Sequence, residues 1–389
     1  MKEKFIPFSP PLIGEEEVHE VIDTLRSEWI TTGPKVKKFE NEFATYVKAP
    51  TALAVSSATD AMQVSLAAYG IGPEDEVITT TLTFCSTIHV IEHVGAKPVL
   101  VDVEQDQLTI NPDKVEKAIT NRTKAIIPVH LYGHPCKMKE LIEIAKYRKL
   151  IVIEDAAHAL PAKHDGRIIG SPISDVRWAT CFSFYATKNI TTAEGGMITG
   201  EKDFIESARI WSLHGMSKDA WKRYSAAGSW YYEVVVPGFK CNMTDIQAAL
   251  GIHQLRKLDK FHKRRDEIAR MYNEAFKDLE EIKIPTIRNG CEHAWHIYAI
   301  RLNLEMLTIN RDEFIRKLRD RGIGTSVHFI PNHMQPYYKN KYGFDVKDFP
   351  IATKEYFRLI SLPIYPKMRN EDVNFVIQSV VDVVTEYRR

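Results

Sequence analysis

Cysteine is scarce and scattered in this chain, with five among 389 residues, at Cys85, Cys136, Cys181, Cys241 and Cys291. No CxxC pair occurs, and no histidine partners a cysteine at zinc-ligand spacing, so neither a metal centre nor a disulfide framework is expected. An odd, dispersed set reads as free thiols in a reducing compartment, which points to a cytoplasmic protein. Long apolar runs are missing too. None approaches the 18 residues that a transmembrane helix needs, so no membrane span is expected. Lys2, Glu3 and Lys4 carry charge near the start with no long apolar stretch behind them, unlike a secretory leader. An excess of one charge is also lacking. Lys+Arg number 52 and Asp+Glu 51, a formal net charge of +1. That excludes a strong field for nucleic acid or a membrane surface, while leaving room for a local basic pocket.

What is present is ordinary for a globular chain: 44% hydrophobic and 26% charged residues. The length suits two to three domains, or one large α/β domain with an appendage. Val18, Val21, Ile22 and Leu25 recur at helical spacing behind Glu15, Glu16 and Glu17, which marks a first helix. A second runs over Val36–Tyr46, with Val36, Phe39 and Phe43 on one face. Short β-rich runs then alternate with helical ones. The strands expected are Ala52–Val55, Glu76–Thr80, Pro98–Asp102, Ala125–His130, Ile151–Glu154, Thr180–Phe184 and Gly196–Thr199; helices include Ala61–Tyr69 and Met138–Tyr147. Several strands are continuously apolar, as strands covered on both faces are. The fold class is therefore α/β, a three-layer α/β/α sandwich around a mostly parallel seven-stranded sheet.

Beyond about residue 250 the pattern changes. A long charged helix over Met243–Lys277 leads into a strand near His296–Leu302, a helix at Arg311–Arg321, a strand near Thr325–Phe329 and a last helix from Asn370. Tyr337–Phe349 reads as a polar, aromatic loop. This division gives a large domain over residues 1–250 and a smaller α+β domain over 251–389.

Ligands of open α/β sheets bind beyond the carboxyl ends of the strands, and three motifs fall there. Ser56-Ser57-Ala58-Thr59-Asp60 joins a strand to a helix, where small residues and free amides can hold a phosphate; taken alone it is equally an ordinary helix cap. Asp155, in Ile153-Glu154-Asp155-Ala156-Ala157-His158, ends a buried strand with no Lys or Arg close by in sequence. A buried carboxylate is costly unless a cation faces it. A ligand's protonated nitrogen at ~4 Å would supply on the order of 4 kcal/mol at an effective dielectric near 20; the alternative is an aspartate capping the next helix. Lys188, in Phe182-Ser183-Phe184-Tyr185-Ala186-Thr187-Lys188-Asn189, lies just past another buried strand. Desolvation there lowers a lysine's pKa and makes it a nucleophile, although most lysines merely solvate a surface. A phosphate cradle, an acid for a ring nitrogen and a lysine for an aldehyde are together the parts that hold pyridoxal phosphate.

These residues, in this order, resemble the sugar aminotransferases of the DegT/DnrJ/EryC1/StrS family, pyridoxal-phosphate enzymes of fold type I. The resemblance begins at Phe8-Ser9-Pro10-Pro11 and Trp29-Ile30-Thr31-Thr32-Gly33-Pro34. It passes through the motifs above to Glu194-Gly195-Gly196, Gly238-Phe239-Lys240-Cys241-Asn242-Met243-Thr244-Asp245 and His328-Phe329-Ile330-Pro331. It implies that Lys188 bonds the cofactor and then moves the proton, and that Asp155 faces the pyridinium nitrogen. It sets His158 near the ring hydroxyl and Phe84 against the ring face. Ser183, Ala58 and Thr59 belong to the phosphate site by the same resemblance. Asn242 resembles an asparagine given by a second subunit, which implies a homodimer with shared active sites.

Thr31, Thr32, His328 and His333 are candidates for a nucleotide diphosphate, with Tyr185 and Asn189 nearer the sugar. The implied reaction moves an amino group from L-glutamate, leaving 2-oxoglutarate, to a nucleotide-linked keto sugar. Two departures stand out. Ser57 or Ala58 replaces a common glycine, and Ala186 replaces a common proline. The second, with Asn189-Ile190-Thr191, is similar to enzymes that aminate C4 of nucleotide-linked 4-keto sugars, with a 3-keto acceptor as the alternative. Relatives that remove a hydroxyl carry histidine in place of the lysine, and a noncatalytic regulator needs neither the lysine nor the acid; both are intact here.

Overall fold

Residue pairs along the central strands divide between two hydrophobic layers. In β1 (Thr51–Val55), Ala52 and Ala54 join one cluster while Leu53 and Val55 join another. A strand can do this only when helices cover both faces of its sheet. The computed structural model describes residues 5–217 and 231–389; Lys2, Glu3 and Lys4 lie outside the described residues. The other strands are β2 (Glu76–Thr80), β3 (Lys97–Val101), β4 (Thr123–Ile127), β5 (Ile151–Asp155), β6 (Trp178–Ser183) and β7 (Gly196–Gly200). Their order is β1-β7-β6-β5-β4-β2-β3. β7 is antiparallel to both neighbours, and the remaining pairs are parallel. The fold is the mostly parallel seven-stranded α/β/α sandwich that the strand pattern predicts, and it is consistent with the fold type I that the resemblance implies. Helices at Ser86–His93, Pro112–Ala118 and Lys202–Ser212 were not legible as separate elements; two of the three have eight residues or fewer.

A second sheet, of β8 (Ile282–Lys283), β9 (Tyr298–Leu302) and β10 (Leu359–Leu362), is antiparallel in that order. The strand expected at Thr325–Phe329 does not form. Ser326 makes only an isolated bridge to Ser361, on the edge of β10 away from β9, and the pairing does not extend along the strand. The chain at 328–329 turns instead toward the large sheet. The loop expected over Tyr337–Phe349 contains a helix, Pro336–Tyr342, and a short 3₁₀ turn. Glu92 anchors it by accepting from Tyr337 Oη and Tyr342 Oη, both at 2.6 Å.

The long helix Asp245–Phe276 begins on a Thr244 capping box with Gln247. Leu255, Leu258 and Phe261 pack into the large unit, while Ile268, Ala269, Tyr272 and Phe276 pack into the small one. The expected boundary at residue 250 thus falls inside one continuous helix. The first helix, Glu15–Arg26, docks on it through ions rather than apolar side chains. Lys257 pairs with Glu17 at 2.7 Å and Glu16 at 2.8 Å, and His253 faces Glu20 at 2.9 Å. Its apolar positions therefore look outward: Val18 is 41% exposed and Leu25 54%.

Glu154, one residue before the end of β5, is fully buried. Arg167 at 2.8 Å, His130 at 2.9 Å and Thr180 at 2.9 Å all reach its carboxylate. Burial alone would raise its pKa, but Arg167 and His130 pull it down to about 2. A folded pKa below the ordinary 4.5 adds stability above that value, and the contribution is lost as pH falls toward 2. Glu154→Gln, which leaves Arg167 without its counter-charge, should therefore cost about 3 kcal/mol at pH 7 in urea unfolding. The gap from the wild type should narrow steadily when the unfolding curves are repeated from pH 4 down to pH 2.

Candidate active site

Parallel strands end on the same edge of a sheet. β1, β5 and β6 deliver Ser56, Asp155 and Ser183 there, and antiparallel β7 starts there, with Gly196 opposite both Val55 and Ser183. A Cβ on Gly196 would stand 2.4 Å from the Ser57 carbonyl, so only glycine lets β7 press against the loop after β1. Ser57 caps the helix Ala58–Ala68, accepting from the Asp60 amide at 3.0 Å, while Ser56 and Ser57 both donate to the Asp60 carboxylate. The cap satisfies Asp60 and leaves the amides of Ala58 and Thr59, at the positive end of the helix, for an anion.

These groups line a cavity of about 510 Å³. Lys188 is its only basic side chain of the Lys or Arg type among the described residues. Burial pushes the Lys188 amine down to about 8, against the opposing pull of Asp155. Asp155 is buried without an ion-pair partner in contact among the described residues. Its Oδ2 accepts from Thr87 Oγ1 at 2.7 Å and its Oδ1 from the Ala157 amide at 3.1 Å. Burial raises its carboxyl pKa; Thr87, Ala157 and Lys188 oppose the rise. Thr87 opens the helix that follows Phe84 and had no signal in the sequence beyond its hydroxyl.

The remaining wall is aromatic and imidazole. His158, His296 and His328 face the cavity with Phe8, Phe84 and Phe329. Phe84 is 56% exposed at the mouth, 5.7 Å from Phe329. Burial, and then the charge of Lys188, keep all three imidazoles neutral; His328 titrates at about 4. The Tyr132 amide donates to His158 Nδ1 at 3.2 Å, so the neutral ring carries its proton on Nε2 and offers it to the cavity.

The structure thus gathers Ala58, Thr59, Phe84, Asp155, His158, Ser183, Tyr185, Lys188 and His328 around one space. Five other candidates lie outside its lining. Asn189 is buried, donating to the Leu160 and Ala294 carbonyls. His333 sits between Thr81 Oγ1 at 2.8 Å and Thr353 Oγ1 at 2.9 Å, stacked on Phe349. These two are consumed by the chain's own packing, a fate that a polar side chain in a loop does not advertise in sequence. Thr31 accepts from the Asp245 amide through its carbonyl. Thr32 Oγ1 accepts from Asn242 Nδ2 at 2.6 Å, and Asn242 bridges to Val55. His296 and Phe329 are cavity residues absent from the sequence candidates, although Phe329 stands in the His328-Phe329-Ile330-Pro331 run.

Comparison with known proteins agrees with this geometry. The family model described as the DegT/DnrJ/EryC1/StrS aminotransferase family matches residues 11–381. The chain is 53% identical over 389 residues to the protein MJ1066 of Methanocaldococcus jannaschii, covering 100% of both. It is 50% identical over 382 residues to the spore coat polysaccharide biosynthesis protein SpsC of Bacillus subtilis, covering 98% of this chain and 97% of that one. Among solved structures it is similar to Spr1654 of Streptococcus pneumoniae, classed as a sugar aminotransferase. The PMP-form superposes with a TM-score of 0.92 at 37% identity, over 98% of this chain and 99% of that one; the PLP-form gives 0.91.

The cofactor fits the residues present. The capped helix and Ser183 suit its phosphate, Lys188 its aldehyde, and the buried, cation-less Asp155 its ring nitrogen. With this site on this sheet, and a family match spanning nearly its whole length, the chain belongs to the DegT/DnrJ/EryC1/StrS aminotransferases and uses pyridoxal phosphate.

Proposed function

We propose that the chain transfers an amino group from L-glutamate to a nucleotide-linked keto-deoxy sugar, a 4-keto sugar in preference with a 3-keto sugar as the alternative, for glycan or polysaccharide synthesis in the cytoplasm. The observation that carries this reading is that Lys188 and the buried Asp155 line one cavity at the carboxyl ends of the strands. The names of SpsC and Spr1654 support a sugar acceptor. The intact lysine favours amination over hydroxyl removal.

Pyridoxal phosphate, when bound, supplies an aldehyde and an electron-withdrawing ring. Asp155 would hold the ring-nitrogen proton. Its two other hydrogen bonds, from Thr87 and Ala157, fix the carboxylate plane. Lys188 Nζ, neutral in appreciable fraction near pH 8, would take the proton from the amine-bearing carbon of the donor and pass it on within the same half-reaction, and would run the same transfer in reverse when the amino group goes to the sugar. His158, with its Nε2 proton free toward the cavity, would stand as the donor for the ring hydroxyl. Phe84, Phe329 and Phe8 exclude water from the space where these transfers occur.

Substrates and cofactor are anionic, yet Lys188 is the only Lys or Arg lining the cavity among the described residues. This supports a homodimer with shared sites, in which a second copy brings Asn242 and further basic groups to the mouth. The exposed apolar set Val18, Ile22, Leu25, Trp29 and Ile30 is a suitable contact surface for that copy. Among the described residues no helix is long and apolar enough to cross a membrane, and the five cysteines are free.

Two outcomes follow. Addition of L-glutamate to the cofactor-loaded protein should bleach its visible band and release 2-oxoglutarate. Lys188→Ala should slow this by about 1,000-fold and Asp155→Asn by about 100-fold, by stopped-flow absorbance; a Lys188→Ala protein with full turnover would sink the assignment. Separately, the rate at which the cofactor-free chain takes up pyridoxal phosphate should climb as pH passes from 7 to 9, because deprotonation of Lys188 near 8 frees its nucleophilic lone pair.

A further inference from the structure

Two loops meet at the mouth of the cavity, and one side chain joins them. The segment after β2 carries Thr83 and Phe84, and the segment 328–334 carries His328 and Phe329; all four line the cavity. Asn332 is buried between the loops. Its backbone amide donates to the Thr81 carbonyl at 2.8 Å, and its Nδ2 donates to the carbonyls of Thr83 at 2.8 Å and Thr81 at 3.2 Å. An amide oxygen cannot donate, so the two side-chain bonds leave no choice of orientation. Asn332 Oδ1 is then buried with no partner among the described residues. An orphaned acceptor is destabilising. It is tolerated here on a side chain whose other end fixes the backbone of Thr83.

Thr83 in turn starts a chain of hydroxyls that ends on Asp155. Thr83 and Thr87 are four residues apart, about one helical turn, where the helix Ser86–His93 begins, and their Oγ1 atoms lie 3.0 Å from each other. Thr87 Oγ1 donates to Asp155 Oδ2 at 2.7 Å. An ionised carboxylate only accepts, and a threonine hydroxyl has a single proton. Thr87 therefore spends its proton on Asp155, and the bond between the two hydroxyls takes its proton from Thr83. The direction of the chain is thus set from Thr83 to the acid. All three side chains are out of water: Thr83, Thr87 and Asp155 are 2%, 0% and 4% exposed. In such a setting a donor that itself accepts a bond is a stronger donor, because each bond polarises the next.

We propose that Thr83 is a positioning residue for Asp155: held by Asn332 and acting through Thr87, it strengthens the hydrogen bond that keeps the Asp155 carboxylate ionised and fixed at the cavity wall. This rests on the reading of Asp155 as the acid that faces the ring nitrogen. The other groups acting on Asp155 are Lys188 on the same cavity, His130 beside the end of β5, Cys181 opposite it on β6, and the Ala157 amide. Glu154, one residue earlier, has its charge taken up by Arg167 and His130. All of these stay in place when a threonine hydroxyl is removed, so a comparison of variants isolates the hydroxyl chain.

The test uses the full chain labelled with ¹³Cγ-aspartate, with the Asp155 signal assigned against Asp155→Asn. In the cofactor-free wild type its midpoint should lie above the ordinary 3.8. Thr83→Val keeps the branched shape but lacks the hydroxyl, and should raise the midpoint by about half a pH unit; Thr83→Ser should restore it. Thr87→Val should raise it by about one unit. Adding Thr83→Val to Thr87→Val should raise it no further, since the chain is already cut. In the loaded enzyme Thr83→Val should slow the glutamate half-reaction about threefold and leave KM nearly unchanged. Should Thr83→Val not fold, Thr83→Cys serves instead: a thiol is a weak donor, and the midpoint should still rise. An unshifted midpoint in the Thr83 variant, with only a lower melting temperature, would overturn the role. So would a rise that adds in full to that of Thr87→Val, because Thr83 would then act on Asp155 by another route. A loaded Asp155→Asn protein that reacts with glutamate at the wild-type rate would overturn the reading of Asp155 and this role together, whereas a slowed Asp155→Asn beside an unshifted Thr83→Val overturns this role alone.

Discussion

A carboxylate buried at the end of β5 with no cation in contact is the constraint on which the site depends. Its neighbour Glu154 shows the contrast. Glu154 points to the other side of the strand, where Arg167 and His130 stabilise its charge. Asp155 has only a hydroxyl and an amide, and burial pushes its pKa up. Two adjacent acids on one strand thus have opposite fates, set by the period of two that sends them to opposite faces. The unmet demand at Asp155 is chemical specificity in itself, because a protonated ring nitrogen answers it and a neutral ligand does not. Lys188 shares the arrangement: the burial that raises the acid lowers the amine, and each offsets part of the other's shift.

Much of this architecture could be read in the chain. All seven strands of the large sheet were legible because parallel strands buried on both faces read as short apolar runs, as Ile151-Val152-Ile153 does. The three motifs at the strand ends were legible because small residues, an acid and a lysine stand where a strand stops. The illegible parts share a physical reason. His296 reaches the cavity from the small unit, and nothing local to Trp295-His296-Ile297 records that Asn189 and Arg265 will clamp it. Asn189 and His333 are polar residues in loops whose partners lie far off in sequence, at Leu160, Ala294, Thr81 and Thr353. The strand expected at Thr325–Phe329 shrank to one bridge, Ser326 to Ser361 on the free edge of β10, because the next residues, His328 and Phe329, leave that edge to line the cavity.

The first helix carries a further lesson about periodicity. Val18, Val21, Ile22 and Leu25 mark a helix correctly, but the face they define is not the face that docks. Lys257, Gln254 and His253 on the long helix draw Glu16, Glu17 and Glu20 instead. An amphipathic pattern reports that an apolar face will be covered, without saying by which chain. A second copy of this protein covering it would place new side chains near a cavity whose own lining is short of basic groups.

The central claim is that this cavity moves nitrogen from an amino acid onto a sugar through Lys188. The most direct measurement is the destination of heavy nitrogen from labelled L-glutamate after incubation with the loaded enzyme and a nucleotide-linked 4-keto-6-deoxy sugar, read by NMR of the recovered sugar nucleotide. The account predicts the label on C4 of the sugar with the wild type and none with Lys188→Ala. Sugar recovered without label from an enzyme that has visibly exchanged with glutamate would contradict the acceptor, and label appearing with Lys188→Ala would contradict the mechanism.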